Sequence, residues 1–345
     1  MADESRKLRP SPVALFLIAL LLVVGVVFVK QQRWYSPQAP TPEAPDLPQE
    51  VGPSAGDHLW TSPAIRVLLR SSRQPLDADD EGYPGRVEVV EYGSRYLRIC
   101  HIDLERYVAQ VVTGELPASW DDEVKRAQAV AARSYTLTEV DEDAPYDIRA
   151  SALAQNFRAE DADPGAVAAA EATRGQVLTQ DGKVVRAFYH ATCGGKTVSP
   201  REFWGMFFPK IPAVECTYCA ASPLYRWSYA ASLEELGEHM DLEVEDLWVE
   251  TTGEGGRVAR VTVETADAVV MFTGEEFRAA VGFTRLRSTW FTVAIEGDQV
   301  HFDGRGSGHG VGMCQWGARG MSEAGHDHRQ ILAHYYPGCV LEGLY

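Results

Sequence analysis

Positive charge is in short supply. The 345-residue chain carries 32 Lys and Arg against 49 Asp and Glu, a formal net charge of −17. That balance argues against a nucleic-acid partner, because phosphate backbones are met with basic surfaces. Solubility is its simpler explanation. The apolar run at 13–29, VALFLIALLLVVGVVFV, is not followed by small residues of A-x-A type, which argues against a cleaved signal peptide. The glycine-rich stretch at 304–312 lacks the βαβ context and the ribose-binding acid of a dinucleotide fingerprint. The Cys-x-x-Cys at 216–219 lacks a thioredoxin-like surrounding. Cysteine itself is sparse, six residues in all, and the count alone allows several connectivities.

What is there begins with that apolar run. Seventeen residues sit at the short end of a membrane-spanning helix. Arg6, Lys7 and Arg9 precede it, and Lys30 and Arg33 follow. Residues 13–29 are therefore expected to be an uncleaved transmembrane signal anchor, with 1–12 as a cytoplasmic tail. Residues 30–57 are Pro-rich without apolar periodicity and read as a semi-rigid linker. Residues 58–345 are long enough to bury a sizeable core. The expected protein is a single-pass membrane protein with most of its chain outside the cytoplasm.

Within 58–345 the apolar patterning switches repeatedly between period two and period 3.6, so the fold class is α+β. Strands are expected at 65–69, 86–90 and 96–100. Leu104, Tyr107, Val108, Val111 and Val112 recur at helical spacing after Asp103, an N-cap residue. Gly114 is expected as the left-handed end of that helix, with Pro117 blocking its continuation. Ser119 and Asp122 suggest the cap of a second, Ala-rich helix through Tyr135. Between the two lies Glu115, beside Gly114, Leu116 and Pro117, with Trp120 in reach. A carboxyl against apolar groups ionises less readily and becomes usable as a general acid. A solvated glutamate in a helix–helix turn has the same spacing.

Downstream, Ala166 to Arg174 suggests a short helix and Asp181-Gly182 a hairpin. His190, Cys193, Cys216 and Cys219 have tetrahedral zinc spacing. A disulfide from Cys193 to Cys216 or Cys219 fits equally well outside the cytoplasm. Residues 228–300 alternate helix and strand as a small inserted α+β subdomain. Gly304, Gly306, Gly308, Gly310 and Gly312 recur at period two. An extended segment would place them on one face, either as a floor for a sugar or as a tight strand crossing. Ser307, His309 and Gln315 would offer hydroxyl, imidazole and amide groups to sugar hydroxyls, although His309 also suits a core position. A helix over 313–324 and another after Asp327 place Cys314 and Cys339 near the two ends of one pair, leaving Cys100 over.

Three stretches, VVTGELPASWDDEVKRAQAVAARSYTL at 111–137, GRGSGHGVGMCQWGARGM at 304–321 and ILAHYYPG at 331–338, resemble the SpoIID/LytB family. The resemblance covers 58–345, weakly over 228–300. Its sporulation member is a lytic transglycosylase acting on peptidoglycan. It implies that Glu115 is the catalytic acid and that Arg133 and Tyr135 position groups around it; an ion pair and a core position are their other readings. A His/Cys zinc site that some members carry after the second helix is not implied, because 138–156 holds no cysteine. Hydrolytic glycosidases use two carboxylates, and one motif acid is present here. The implied function is therefore single-glutamate cleavage of glycan strands, denuded of stem peptides, to 1,6-anhydro ends, with peptidoglycan as partner. No cofactor is required for that chemistry, though a structural zinc fits the cysteines. The alternative is a non-catalytic peptidoglycan-binding enhancer of a cell-wall amidase.

Overall fold

Three strands open the described chain: β1 (Ala64–Ser72), β2 (Arg86–Tyr92) and β3 (Arg95–Asp103). A computed structural model describes residues 62–79, 82–151, 155–157, 161–251 and 255–345. The expected anchor at 13–29 and linker at 30–57 lie outside them. No helix of the described residues is long and apolar enough to cross a membrane. Antiparallel pairing of β1 with β3 sets Ile65 opposite Ile102, and β2 with β3 sets Val87 opposite Cys100. These residues join the main core on one face of the sheet, while Leu68, Leu97 and Ile99 form a small cluster of their own.

Helix α1 (Leu104–Glu115) starts where the Asp103 carboxylate accepts the amides of Glu105 and Arg106. Its apolar stripe of Leu104, Tyr107, Val108, Val111 and Val112 is buried. Helix α2 (Asp122–Leu137) is covered nearly all round: Ala127, Ala129, Val130, Ala131 and Ala132 are all fully buried. Alanine is what lets neighbouring elements approach this closely on several faces. The cap of α2 is Asp121, whose carboxylate accepts the Glu123 amide and the Ser322 hydroxyl, and the expected Ser119 is exposed.

Strand β4 (Ile148–Arg149) joins β1 in parallel, and α3 (Pro164–Ala172) is capped by Asp163. Strands β5 (Gln176–Gln180) and β6 (Lys183–Val184) form a hairpin turned by Asp181 and Gly182, with φ of 53° and 71°, the positive pair that a tight two-residue turn demands. After β7 (Tyr189–His190) and the short α4 (Pro200–Trp204) comes a segment with a separate core. It comprises β8 (Arg226–Ser232), α5 (Leu233–Met240), β9 (Val244–Thr251), β10 (Val258–Thr265), β11 (Val269–Thr273), α6 (Gly274–Val281), β12 (Phe291–Glu296) and β13 (Gln299–Arg305). Two three-stranded sheets, β11-β10-β9 and β12-β13-β8, enclose Leu236, Val261, Val263, Phe277, Phe291 and Phe302.

The chain then returns to the main core. Strand β14 (Met313–Cys314) pairs in parallel with β7, setting Met313 against Tyr189 and Cys314 against His190. Helices α7 (Gln315–Glu323) and α8 (His328–Tyr335) follow, and β15 (Val340–Gly343) pairs with β5. The β7–β14 pairing is what carries the second sequence motif back to the first.

Candidate functional site

Glu115 is the last residue of α1 and is half-buried. The final carbonyls of a helix carry partial negative charge, which disfavours a carboxylate there. Its Oε1 accepts the backbone N–H of Asn156 at 2.9 Å, and its Oε2 accepts Nε2 of Gln315 at 3.0 Å. Burial pushes the Glu115 pKa up, the two hydrogen bonds oppose it, and the net shift is upward. The same Gln315 amide lies 3.3 Å from Oε1 of Gln128 on α2, so a residue at the start of α7 bridges both helices of the first motif.

The neighbouring segment is pinned just as firmly. Gln155 is fully buried; its Oε1 accepts the hydroxyls of Tyr107 and Thr136, and its Nε2 donates to the Ala132 carbonyl. Phe157 stacks on Tyr107 with ring centroids 5.4 Å apart. Asn156, between them, is therefore fixed where its amide meets Glu115. Gly114 belongs to α1 rather than forming the left-handed end expected of it. It is glycine because a Cβ would stand 1.8 Å from the Asn156 carbonyl oxygen. Lys125, buried on α2, donates to the Ala118 carbonyl at 2.7 Å and holds the turn after Glu115. Beside that turn, Trp120 and Trp316 meet edge to face at 5.2 Å, and Arg319 lies over both rings.

Among the residues expected to bind substrate, Gln315 is the one brought to Glu115. It is buried, and its amide already faces protein oxygens, so it orients the acid rather than offering itself to a sugar. Arg133 requires a correction. It is fully buried and grips Glu105 with two guanidinium nitrogens, Nε to Oε1 at 2.9 Å and a second to Oε2. It also donates to the Gln176 and Ala170 carbonyls. With those donors engaged inside the core it joins α1, α2 and α3 and cannot reach a glycan. Tyr135 is half-buried, edge-on to Phe188 at 5.9 Å and beneath Arg186.

Ser307 and His309 lie in the loop between β13 and β14. Ser307 exchanges backbone hydrogen bonds with Thr192. His309 accepts the Val311 amide at Nδ1 and sits among Phe188, Phe203, Trp204 and His190, where burial lowers its pKa and keeps the ring neutral. The extended glycine floor is also corrected. Only Gly304 lies in a strand; Gly306, Gly308, Gly310 and Gly312 all have positive φ. A Cβ on Gly310 would stand 2.1 Å from the Arg257 guanidinium, and one on Gly312 2.0 Å from the Phe188 carbonyl. The glycines admit the protein's own groups, which leaves no open floor along them.

The cysteine cluster differs from the expected set in one member. The sulfurs of Cys193, Cys216, Cys219 and Cys314 lie within 4.8 Å of one another, and all four residues are buried. Cys314 stands where His190 was expected. His190 is not a member of the group; its Nδ1 lies 3.1 Å from the Val311 carbonyl, and burial lowers its pKa. Cys339 is half-buried and outside this group, so Cys314 is not its partner, and Cys100 is a buried residue of β3, opposite Val87 of β2. The sequence reading missed Asn156, Gln128, Trp316 and the fourth sulfur. Trp316 and Cys314 flank Gln315 within one motif; nothing local marks Asn156 or Gln128.

Residues 92–180 match the model of a family described as stage II sporulation protein, SpoIID, and residues 217–312 match a domain of unknown function, DUF8618. The chain is 30% identical over 266 residues to an uncharacterized protein of Brachyspira hyodysenteriae, covering 74% of this chain and 71% of that one. It is 28% identical over 284 residues to stage II sporulation protein D of Bacillus amyloliquefaciens, covering 73% and 78%. It is 27% identical over 285 residues to an amidase enhancer of Bacillus subtilis, covering 67% of this chain and 39% of the enhancer. The first model spans Glu115, Gln128 and Asn156; Cys314 and Gln315 lie beyond both.

Proposed function

The chain belongs to the SpoIID family, and from that premise we propose that it is a peptidoglycan lytic transglycosylase with Glu115 as its single acid and base. The observation that carries this reading is a carboxyl at a helix C-terminus, raised in pKa by burial, whose two oxygens each meet a fixed amide donor. An upward shift favours the protonated form, from which the carboxyl can give its proton to the glycosidic oxygen. Once the proton has left, the Asn156 and Gln315 amides stabilise the carboxylate. That carboxylate then takes the proton of the sugar's own C6 hydroxyl as it closes on the anomeric carbon, giving a 1,6-anhydro end. The partners that meet the Glu115 oxygens are the amides of Asn156 and Gln315, and the single-glutamate route needs no second carboxylate of the kind hydrolysis uses. Trp120 and Trp316 are the aromatic faces on which sugar rings would rest. In this reading residues 13–29 anchor the protein, 30–57 space it from the membrane, and 58–345 work on the glycan side.

The second reading is a peptidoglycan-binding enhancer of a cell-wall amidase. It is favoured by the similarity to a protein named amidase enhancer and by the fact that Glu115 is already a double hydrogen-bond acceptor. The two readings part on the chemistry of the products, since an enhancer leaves glycan strands uncut.

The role of Gln315 is separable from a structural one. Its bond lowers the Glu115 pKa, so Gln315→Leu raises that pKa further and keeps the acid protonated to higher pH. The alkaline limb of the pH–rate profile is expected to move upward while the maximal rate falls. A residue that only fills space would lower the rate without moving the limb.

A further inference from the structure

Cys314 and Gln315 are neighbours in the chain that face different partners. Gln315 reaches Glu115, while Cys314 completes the buried group of four sulfurs. Four sulfurs so placed are poorly served without a cation. As thiols they make weak hydrogen bonds, and as buried thiolates they repel one another. A tetrahedral ion bonded to sulfur at about 2.3 Å holds its ligands about 3.8 Å apart; Cys193 and Cys219 already stand at 3.5 Å.

The surroundings suit negative sulfur. Cys314 Sγ accepts the amides of Cys193 and Gly317, each at 3.3 Å, and Cys193 Sγ accepts that of Gly195 at 3.4 Å. The Tyr335 hydroxyl is 3.2 Å from Cys216 Sγ. Outer donors of this kind orient thiolate ligands around a metal. Arg257, buried and 3.5 Å from the Cys193 carbonyl, sets a positive charge beside a group that stays net negative with a divalent ion bound.

We propose that Cys193, Cys216, Cys219 and Cys314 bind one zinc ion, and that this ion fixes the start of α7 so that Gln315 meets Glu115. Four protein sulfurs close the coordination sphere, so the ion is structural and takes no water or substrate. Three ligands come from the chain between β7 and β8 and the fourth from β14. The ion thus ties that connection to the motif carrying Gln315. The proposal stands on the sulfurs and does not depend on the glycan reading.

The test uses full-length protein purified without chelator. Elemental analysis should find about one zinc per chain, retained in His190→Gln and mostly lost in Cys314→Ser. Because Cys314→Ser can fail to fold, cobalt exchanged into the wild type supplies a second measurement: four thiolates give intense sulfur-to-cobalt charge-transfer absorption with tetrahedral ligand-field bands. Stripping the metal should also raise hydrogen exchange in residues 315–323, the helix it fixes. A metal-free protein with a disulfide within the cluster, zinc lost in His190→Gln but kept in Cys314→Ser, or a cobalt form without thiolate bands would each overturn the site. Unchanged exchange in 315–323 after stripping would overturn the link to Gln315.

Discussion

Replacing Glu115 by Gln is expected to lower turnover of glycan strands by at least about 10²–10⁴-fold, the range that one general acid and base supplies. The amide has the size of the carboxyl but no acidic proton, and Asn156 still finds an oxygen to bond. Strand binding should survive nearly unchanged, because Trp120, Trp316 and Arg319 are untouched. Stability should move in the other direction. The folded-state pKa of Glu115 is raised, so folding takes up a proton. Its contribution is fully present below the unfolded-state pKa and is lost as pH rises through the folded one. Glu115→Gln has no such titration, so its melting temperature relative to wild type should improve as pH climbs through that window. A variant that keeps its turnover would remove Glu115 from the chemistry.

Arg133→Met is expected to destabilise the protein by about 3–5 kcal/mol, the usual consequence of removing one partner from a buried ion pair. The side chains of Arg133 and Glu105 are 0% and 2% exposed. Burial pushes the Glu105 pKa up, but the Arg133 guanidinium, the Tyr345 hydroxyl and the Gly175 amide more than reverse this and leave it lowered. In the wild type that stabilisation is present above the unfolded-state pKa and is lost as pH falls through the folded one. Without Arg133 the balance tips to burial, so the variant's deficit should shrink in acid, where Glu105 is neutral. Urea unfolding across pH measures this. Adding Glu105→Leu to Arg133→Met should recover much of the loss, since an apolar pair leaves no buried charge alone. A deficit under about 1 kcal/mol at neutral pH, with a large drop in strand turnover, would instead return Arg133 to the substrate.

Much of this architecture is legible because its causes are local. The 3.6 period of Leu104, Tyr107, Val108, Val111 and Val112 makes α1 recognisable, and Asp181-Gly182 marks its hairpin by the positive φ that few other residues accept. Glu115 is different: periodicity locates it, and only the resemblance of its motif singles it out among 49 acidic residues. Its partners were hidden by distance along the chain. Gln315 is 200 residues away, and Asn156 acts through a backbone amide that any residue would carry. Cys314 escaped notice for the same reason, since the parallel pairing of β7 with β14 that brings it to the other sulfurs has no local signature. The alternating glycines misled because period two is also the mark of a strand. Close approach of Arg257 and Phe188, with positive φ at Gly310 and Gly312, explains them instead. Arg133 lay in a functional motif yet serves the core, so shared motif membership did not imply a shared role.

The most direct test of the central claim is the chemical form of the ends that the protein leaves on glycan strands. Full-length protein incubated with stem-peptide-free strands, with products resolved by mass spectrometry, should give fragments one water lighter than hydrolysis products, ending in 1,6-anhydro sugar, and Glu115→Gln should give none. Fragments with reducing ends would contradict the account, and so would strands left uncut by a protein that binds them and accelerates a separate amidase.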